Sequence, residues 1–103
     1  MKGSFSRDRL LLEKKVLREA LSLIQDNSRW CKNAPARDQH GNSVDCRSYE
    51  AVQWCAIGAI TKVSPDQETA NFLTLKFRHL TKVNDEKGHS QVKKELLKLS
   101  KLA

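Results

Sequence analysis

Three Phe, two Trp and one Tyr are the only aromatic residues in a chain of 103, which also holds just two prolines, four glycines and three cysteines. Each scarcity excludes a class. So little glycine and proline rules out collagen-like and low-complexity disordered chains. Three cysteines cannot all pair with one another, which argues against a secreted disulfide scaffold and for a reducing cytoplasm. No apolar run approaches the roughly 20 residues of a membrane-spanning helix; the longest, Trp54 through Ile60, already contains Gly58. Leu10, Leu11 and Leu12 are cut off by Glu13, too soon for the apolar core of a signal peptide. The length fits one domain, residues 1–103, since domains commonly run to about 100–200 residues. A chain of this size buries roughly two-thirds of its unfolded surface. No metal or disulfide is needed to hold such a core.

What the chain has in excess is positive charge. Nineteen Lys and Arg stand against twelve Asp and Glu, a net +7. Such a balance invites an acidic or nucleic-acid partner. The excess is nevertheless spread, as +2 over residues 1–26, +2 over 27–63 and +3 over 64–103. Only the stretch from Lys76 onward is locally rich, through Arg78, Lys82, Lys93 and Lys94. It reads either as an electrostatic footprint for phosphates or an acidic protein, or as the solvated face of ordinary helices.

Hydrophobic periodicity predicts a mainly α-helical fold of about four helices. Between the first two lies one long loop or short β-hairpin. Apolar residues at Leu10, Leu11, Leu17, Ala20, Leu21 and Ile24 mark a first helix over 6–27, capped by Ser6. Pro35, Gly41 and Asn42 break the helical period over 29–47. Trp30 anchors the entry to that loop, since an indole is costly to leave wet. A second, central helix is expected over 49–62, capped by Ser48, with Ala51, Cys55 and Ala59 as a row of small residues. Gly58 inside it costs about 1 kcal/mol relative to alanine, so close packing or a bound group should explain its presence. Ser64-Pro65-Asp66-Gln67 has the form of a helix start, with Ser64 as cap and Pro65 in the first turn. The third helix is expected to reach Thr81 with Phe72, Leu73, Phe77 and Leu80 inward, and a fourth to run over 90–101.

Candidate chemistry is sparse. Cys31, His40, Cys46 and Cys55 are potential soft ligands, but no two stand in the close C-x-x-C pairing that structural zinc favours. No metal and no cofactor are therefore expected. A nucleophilic Cys55 needs a lowered thiol pKa and a neighbouring base such as His40 or His89. Placed inside a helix, Cys55 gains little from the helix dipole, and burial as a small hydrophobe is the simpler role. Asp38 and Asp85 are the acid–base candidates; turn formation and local backbone bonding by Asp38, Asn84 and Asp85 are the competing reading. Trp30, Tyr49 and Trp54 do not alternate with basic residues as a base-stacking platform requires.

The loop residues Ala36-Arg37-Asp38, Gly41 and Val44, the segment Trp54-Cys55-Ala56-Ile57-Gly58-Ala59, and the ending Val83-Asn84-Asp85 with Gly88 together resemble a family of small uncharacterised bacterial and phage domains. That family carries an Ala-Arg-Asp-x-x-Gly-x-x-Val loop, a Trp-Cys-x-x-Gly-Ala helix and a Trp-Asn-Asp ending. Val83 stands where tryptophan is usual, and Cys46 where proline is common. The resemblance selects Trp30, Arg37, Asp38, Trp54, Cys55, Gly58, Asn84 and Asp85 as either a common surface or a common core.

The expected function is a small soluble cytoplasmic binding or accessory domain. Its binding residues would be Trp30, Arg37, Asp38, His40, Asn84 and Asp85. The partner would be an acidic protein, or a nucleic acid reached through Lys76, Arg78, Lys82, Lys93 and Lys94, and no membrane. One alternative is a cysteine-dependent or acid–base enzyme centred on Cys55. Another, implied by the phage members of the resembled family, is an inhibitor of a host defence complex.

Overall fold

A computed structural model describes residues 2–102 of the chain, with side chains from Asp8 onward. Helix α1 spans Lys2–Leu23. It starts before Ser6, whose side chain lies outside the described ones, and it stops short of Asn27. Val16, Leu17, Ala20 and Ile24 are the buried stripe. Leu10 and Leu11, expected to face inward, are instead 48% and 57% exposed, because α1 runs on past the helices it packs against. Asp26 then accepts a bond from the Ser28 amide and caps a single 3-10 turn, Asn27–Arg29.

The next segment departs most from expectation. Strand β1, Ala36–Arg37, pairs antiparallel with β2, Gln53–Trp54, in the register Ala36 to Trp54 and Arg37 to Gln53. Trp30 bridges the other side of Trp54 in parallel fashion. Residues 49–55 are thus not the first half of a helix. The Val52 amide donates to Arg37 O, the Cys55 amide to Pro35 O, and Trp54 O accepts from the Cys31 amide. Backbone groups used by flanking strands are unavailable to a helix ladder. The apolar crowding around Trp54 belongs to a strand covered on both edges, and the Ala51–Cys55–Ala59 row dissolves. Ser48 caps no helix; its hydroxyl oxygen accepts from the Glu50 amide in a local turn.

Helix α2 spans only Ala56–Val63, and its N-cap is Cys55. Ser64 ends this helix rather than starting the next: its hydroxyl donates to Ile60 O at 2.6 Å. The cap of α3, Gln67–Lys76, is Asp66, which accepts from the Thr69 amide at 2.7 Å. An ionised Asp66 is favoured here, since that amide bond holds its carboxyl below the usual range. The chain breaks at Phe77, resumes as α4, His79–Lys82, and widens into a π-helical turn, Val83–Lys87. Helix α5, His89–Leu102, completes the chain described. The fold is mainly helical as expected, with five helices instead of about four, because the third expected helix is broken at Phe77.

The core joins α1, α2 and α5 with the inner faces of α3 and α4: Leu17, Ile24, Ile60, Leu73, Leu80, Val92 and Leu96 are all almost fully buried. Each such side chain contributes about 1.5–3 kcal/mol relative to exposure. Phe77 joins them, whereas Phe72 remains 43% exposed. Glu13 is buried beside this core, its carboxylate 2.6 Å from the Lys76 ammonium. No helix among the described residues is long and apolar enough to cross a membrane.

Gly58 is explained by close packing. A Cβ there would overlap the carbonyl oxygen of Pro35 and lie 2.8 Å from its carbon. Pro35 is held in place by its bond from the Cys55 amide, so the backbone has no cheap retreat. Gly58→Ala is expected to destabilise the protein by about 3 kcal/mol, the upper end for overpacking, despite alanine's better helix propensity; urea denaturation measures it.

Candidate functional site

The sequence-selected residues separate into two places. The first is a junction built on Asn84, which is fully buried. The π-helical turn, closed by the Gly88 amide on Val83 O, aims its carboxamide inward. Asn84 Oδ1 accepts from the Trp30 indole at 2.7 Å and from the Ala56 amide at 3.0 Å. Its Nδ2 donates to Cys31 O at 3.1 Å and to Asp85 Oδ1 at 2.9 Å. Asp85 Oδ1 also accepts from the amide of Asn33, which sits in the left-handed region at φ 66°. Asn84 and Asp85 do not merely close a helix locally, as turn chemistry had implied. They bind backbone from the long loop and the start of α2. The Trp30 ring stacks on His89 with centroids 5.0 Å apart, and the His89 Nε2–H donates to Ile24 O at 2.6 Å.

Cys55 lies at this junction, not within a helix but at its start. Its sulfur accepts from the Gly58 amide at 3.2 Å and caps α2. The capping amides favour a thiolate, yet burial outweighs them and pushes the Cys55 thiol up. Burial, reinforced by Cys55, pushes Cys31 to about 11, and Cys46 is also raised. The three histidines are occupied elsewhere: His89 as described, His79 at 3.6 Å from Glu95, and His40 beside Gln39 on the long loop. A groove of about 500 Å³ opens over the junction between Asn33, Pro35, Ile57, Thr81 and Asp85, with Cys55 at its base. Its chemistry is that of a capped helix end with a protonated thiol. Among the described residues no group of three or more His, Cys, Asp or Glu is arranged to hold a metal ion.

The second place is the long loop. Arg37 and Asp38, expected as binding groups, are used to shape it. The Arg37 guanidinium donates to Gly41 O at 2.9 Å and Lys32 O at 3.1 Å. The Asp38 carboxylate accepts from the His40 and Asn42 amides, each at 2.9 Å, and the Asn42 bond above all holds its carboxyl below the usual range. Gly41 takes the positive φ of 84° that this turn requires. Farther on, the Arg47 guanidinium donates to Thr61 O and Gln67 Oε1, tying the loop to α2 and α3. What the loop presents is a shallow face formed by Asp38, Gln39, His40, Tyr49, Glu50 and Val52. Tyr49 is 94% exposed. Sequence reasoning placed Tyr49 on a helix and missed its role; the only available signal was the turn-forming Asp45 and Ser48 before it.

The basic residues do not gather. Lys76 is paired with Glu13, Lys93 donates to Gln25 O at 3.3 Å, and Arg78, Lys82 and Lys94 lie exposed on separate stretches of chain.

Residues 11–96 match the model of the Family of unknown function (DUF6197). No curated protein and no solved structure matches the chain.

Two outcomes follow from the junction. Asn84→Ala orphans the Trp30 indole, the Ala56 amide and the Cys31 carbonyl, and should cost at least about 3 kcal/mol, at roughly 1–3 kcal/mol per buried unpaired group. Asn84→Asp should fare no better, since its second oxygen would face the Cys31 carbonyl and the Asp85 carboxylate; denaturant midpoints of both variants decide this. The raised thiols predict that iodoacetamide at pH 8 leaves Cys31, Cys46 and Cys55 unmodified until the protein is unfolded, as read by mass spectrometry.

Proposed function

The chain belongs to that family of unknown function, and we propose that it works as a protein-binding module docking through the loop face around His40 and Tyr49. The observation that carries this reading is a 94% exposed tyrosine on a loop whose backbone is fixed by Arg37, Asp38 and Arg47. A partner meets a surface that is already ordered, so little conformational entropy is lost on docking. Tyrosine supplies large contact area with few rotatable bonds and is enriched among the residues that dominate interface energetics. Val52, 42% exposed on the same face, adds apolar area.

The composition of the face favours protein over nucleic acid. Asp38 and Glu50 line it, and carboxylates repel a phosphate backbone. Two of the lysines first considered for phosphates are engaged with Glu13 and Gln25. The alternative of a cysteine-centred enzyme finds no support in a Cys55 sulfur that caps a helix and a thiol that burial keeps protonated.

Replacing Tyr49 by a photo-crosslinking phenylalanine derivative in the cells that carry this gene tests the reading. A discrete protein adduct is expected, competed away by excess wild-type protein and not by Tyr49→Ala, with stability changed by less than about 0.5 kcal/mol as for other surface substitutions. Equal competition by Tyr49→Ala would overturn it, as would a salt-sensitive shift of DNA or RNA in place of any protein adduct.

A further inference from the structure

The outer face of α5 carries a second feature, on which the loop reading does not depend. Lys94, Leu97, Lys98, Lys101 and Leu102 recur three and four residues apart and so form one stripe along the helix. The buried residues Val92, Leu96 and Ser100 occupy the opposite side. Leu97 is 45% exposed and Leu102 73% exposed. Together the five residues border a shallow surface depression of about 430 Å³. Glu95 is turned to another partner, His79. Among the described residues bordering the depression, none is acidic. The stripe therefore offers apolar contact flanked by three ammonium groups.

The geometry points to a docking site for an acidic amphipathic helix of a partner protein, lying along the Lys94–Leu102 stripe. Its apolar residues would cover Leu97 and Leu102, and its Glu or Asp side chains would meet Lys94, Lys98 and Lys101. This is the helix-against-helix recognition in which anchors at i, i+3, i+4 and i+7 give affinity and flanking charges choose the partner. The charges select against the other occupants. A second copy laid on the same face would bring ammonium groups against ammonium groups. A nucleic acid would satisfy the lysines and leave both leucines uncovered.

Titrating the full ¹⁵N-labelled chain with a synthetic peptide tests the proposal. The peptide has about 14 residues, four helical turns, with Leu on one stripe and Glu elsewhere. Expected are saturable amide shifts confined to the Lys94–Leu102 stretch and its immediate neighbours, weakening as salt is raised through the range where charge screening takes hold. Leu97→Ser with Leu102→Ser should reduce affinity by about tenfold or more, a loss of 1.4 kcal/mol, with the thermal midpoint retained because both side chains are exposed. Tyr49→Ala should leave the titration unchanged, which separates this surface from the loop face. Three results would overturn the proposal: no saturable shift at millimolar peptide, equal shifts with a peptide of the same composition in scrambled order, or binding to phosphatidylserine vesicles but not to the peptide.

Discussion

A buried carboxamide has two N–H groups to place and an oxygen that accepts two bonds, and Asn84 satisfies all four through three separate stretches of chain. Left unpaired inside a protein, each such group would cost about 1–3 kcal/mol. The arrangement around Asn84 is therefore an all-or-none commitment. Trp30 must bring its indole inward, the Cys31 carbonyl must face the same point, and α2 must begin at Ala56. The remaining local geometry follows. With α2 fixed there, Cys55 falls at the cap, and Pro35 crosses close enough that position 58 admits only glycine.

The helices at the two ends of the chain were legible because their stripes are long and their polar faces clean. The close packing at Gly58 and the anchoring of Trp30 were legible too, each from the cost of the alternative. The segment from Tyr49 to Cys55 was not. Its residues are apolar on every side, which a buried helix and a doubly covered strand share, and only the backbone partners Cys31, Pro35 and Arg37 distinguish the two. Those partners lie far away in sequence. The exchange of Ser64 for Asp66 as helix cap has a more local cause. Both side chains can cap, and Ser64 is drawn to the carbonyl of Ile60 behind it.

The candidate site shows the same limit from the chemical side. Arg37, Asp38, Asn84 and Asp85 stood out because their side chains can do much, and the fold uses that capacity on its own backbone. Charged groups satisfied by main-chain partners shape a surface without contacting anything beyond it. Tyr49 and Leu102 drew little attention because nothing in their type is chemical, yet they are the large side chains left most open to solvent. In a domain this small the residues that build the scaffold and those that meet the outside are nearly disjoint sets.

The π-helical turn from Val83 to Lys87 holds one more residue than an α-turn of the same reach. Removing any one of the five would let the α ladder close and swing the Asn84 side chain by about 100° around the axis, away from Trp30 and Ala56. The segment is thus constrained in length as strictly as in identity. Insertions and deletions accumulated by relatives should fall at the loop tip around His40 and along the overhanging start of α1, and should spare this turn.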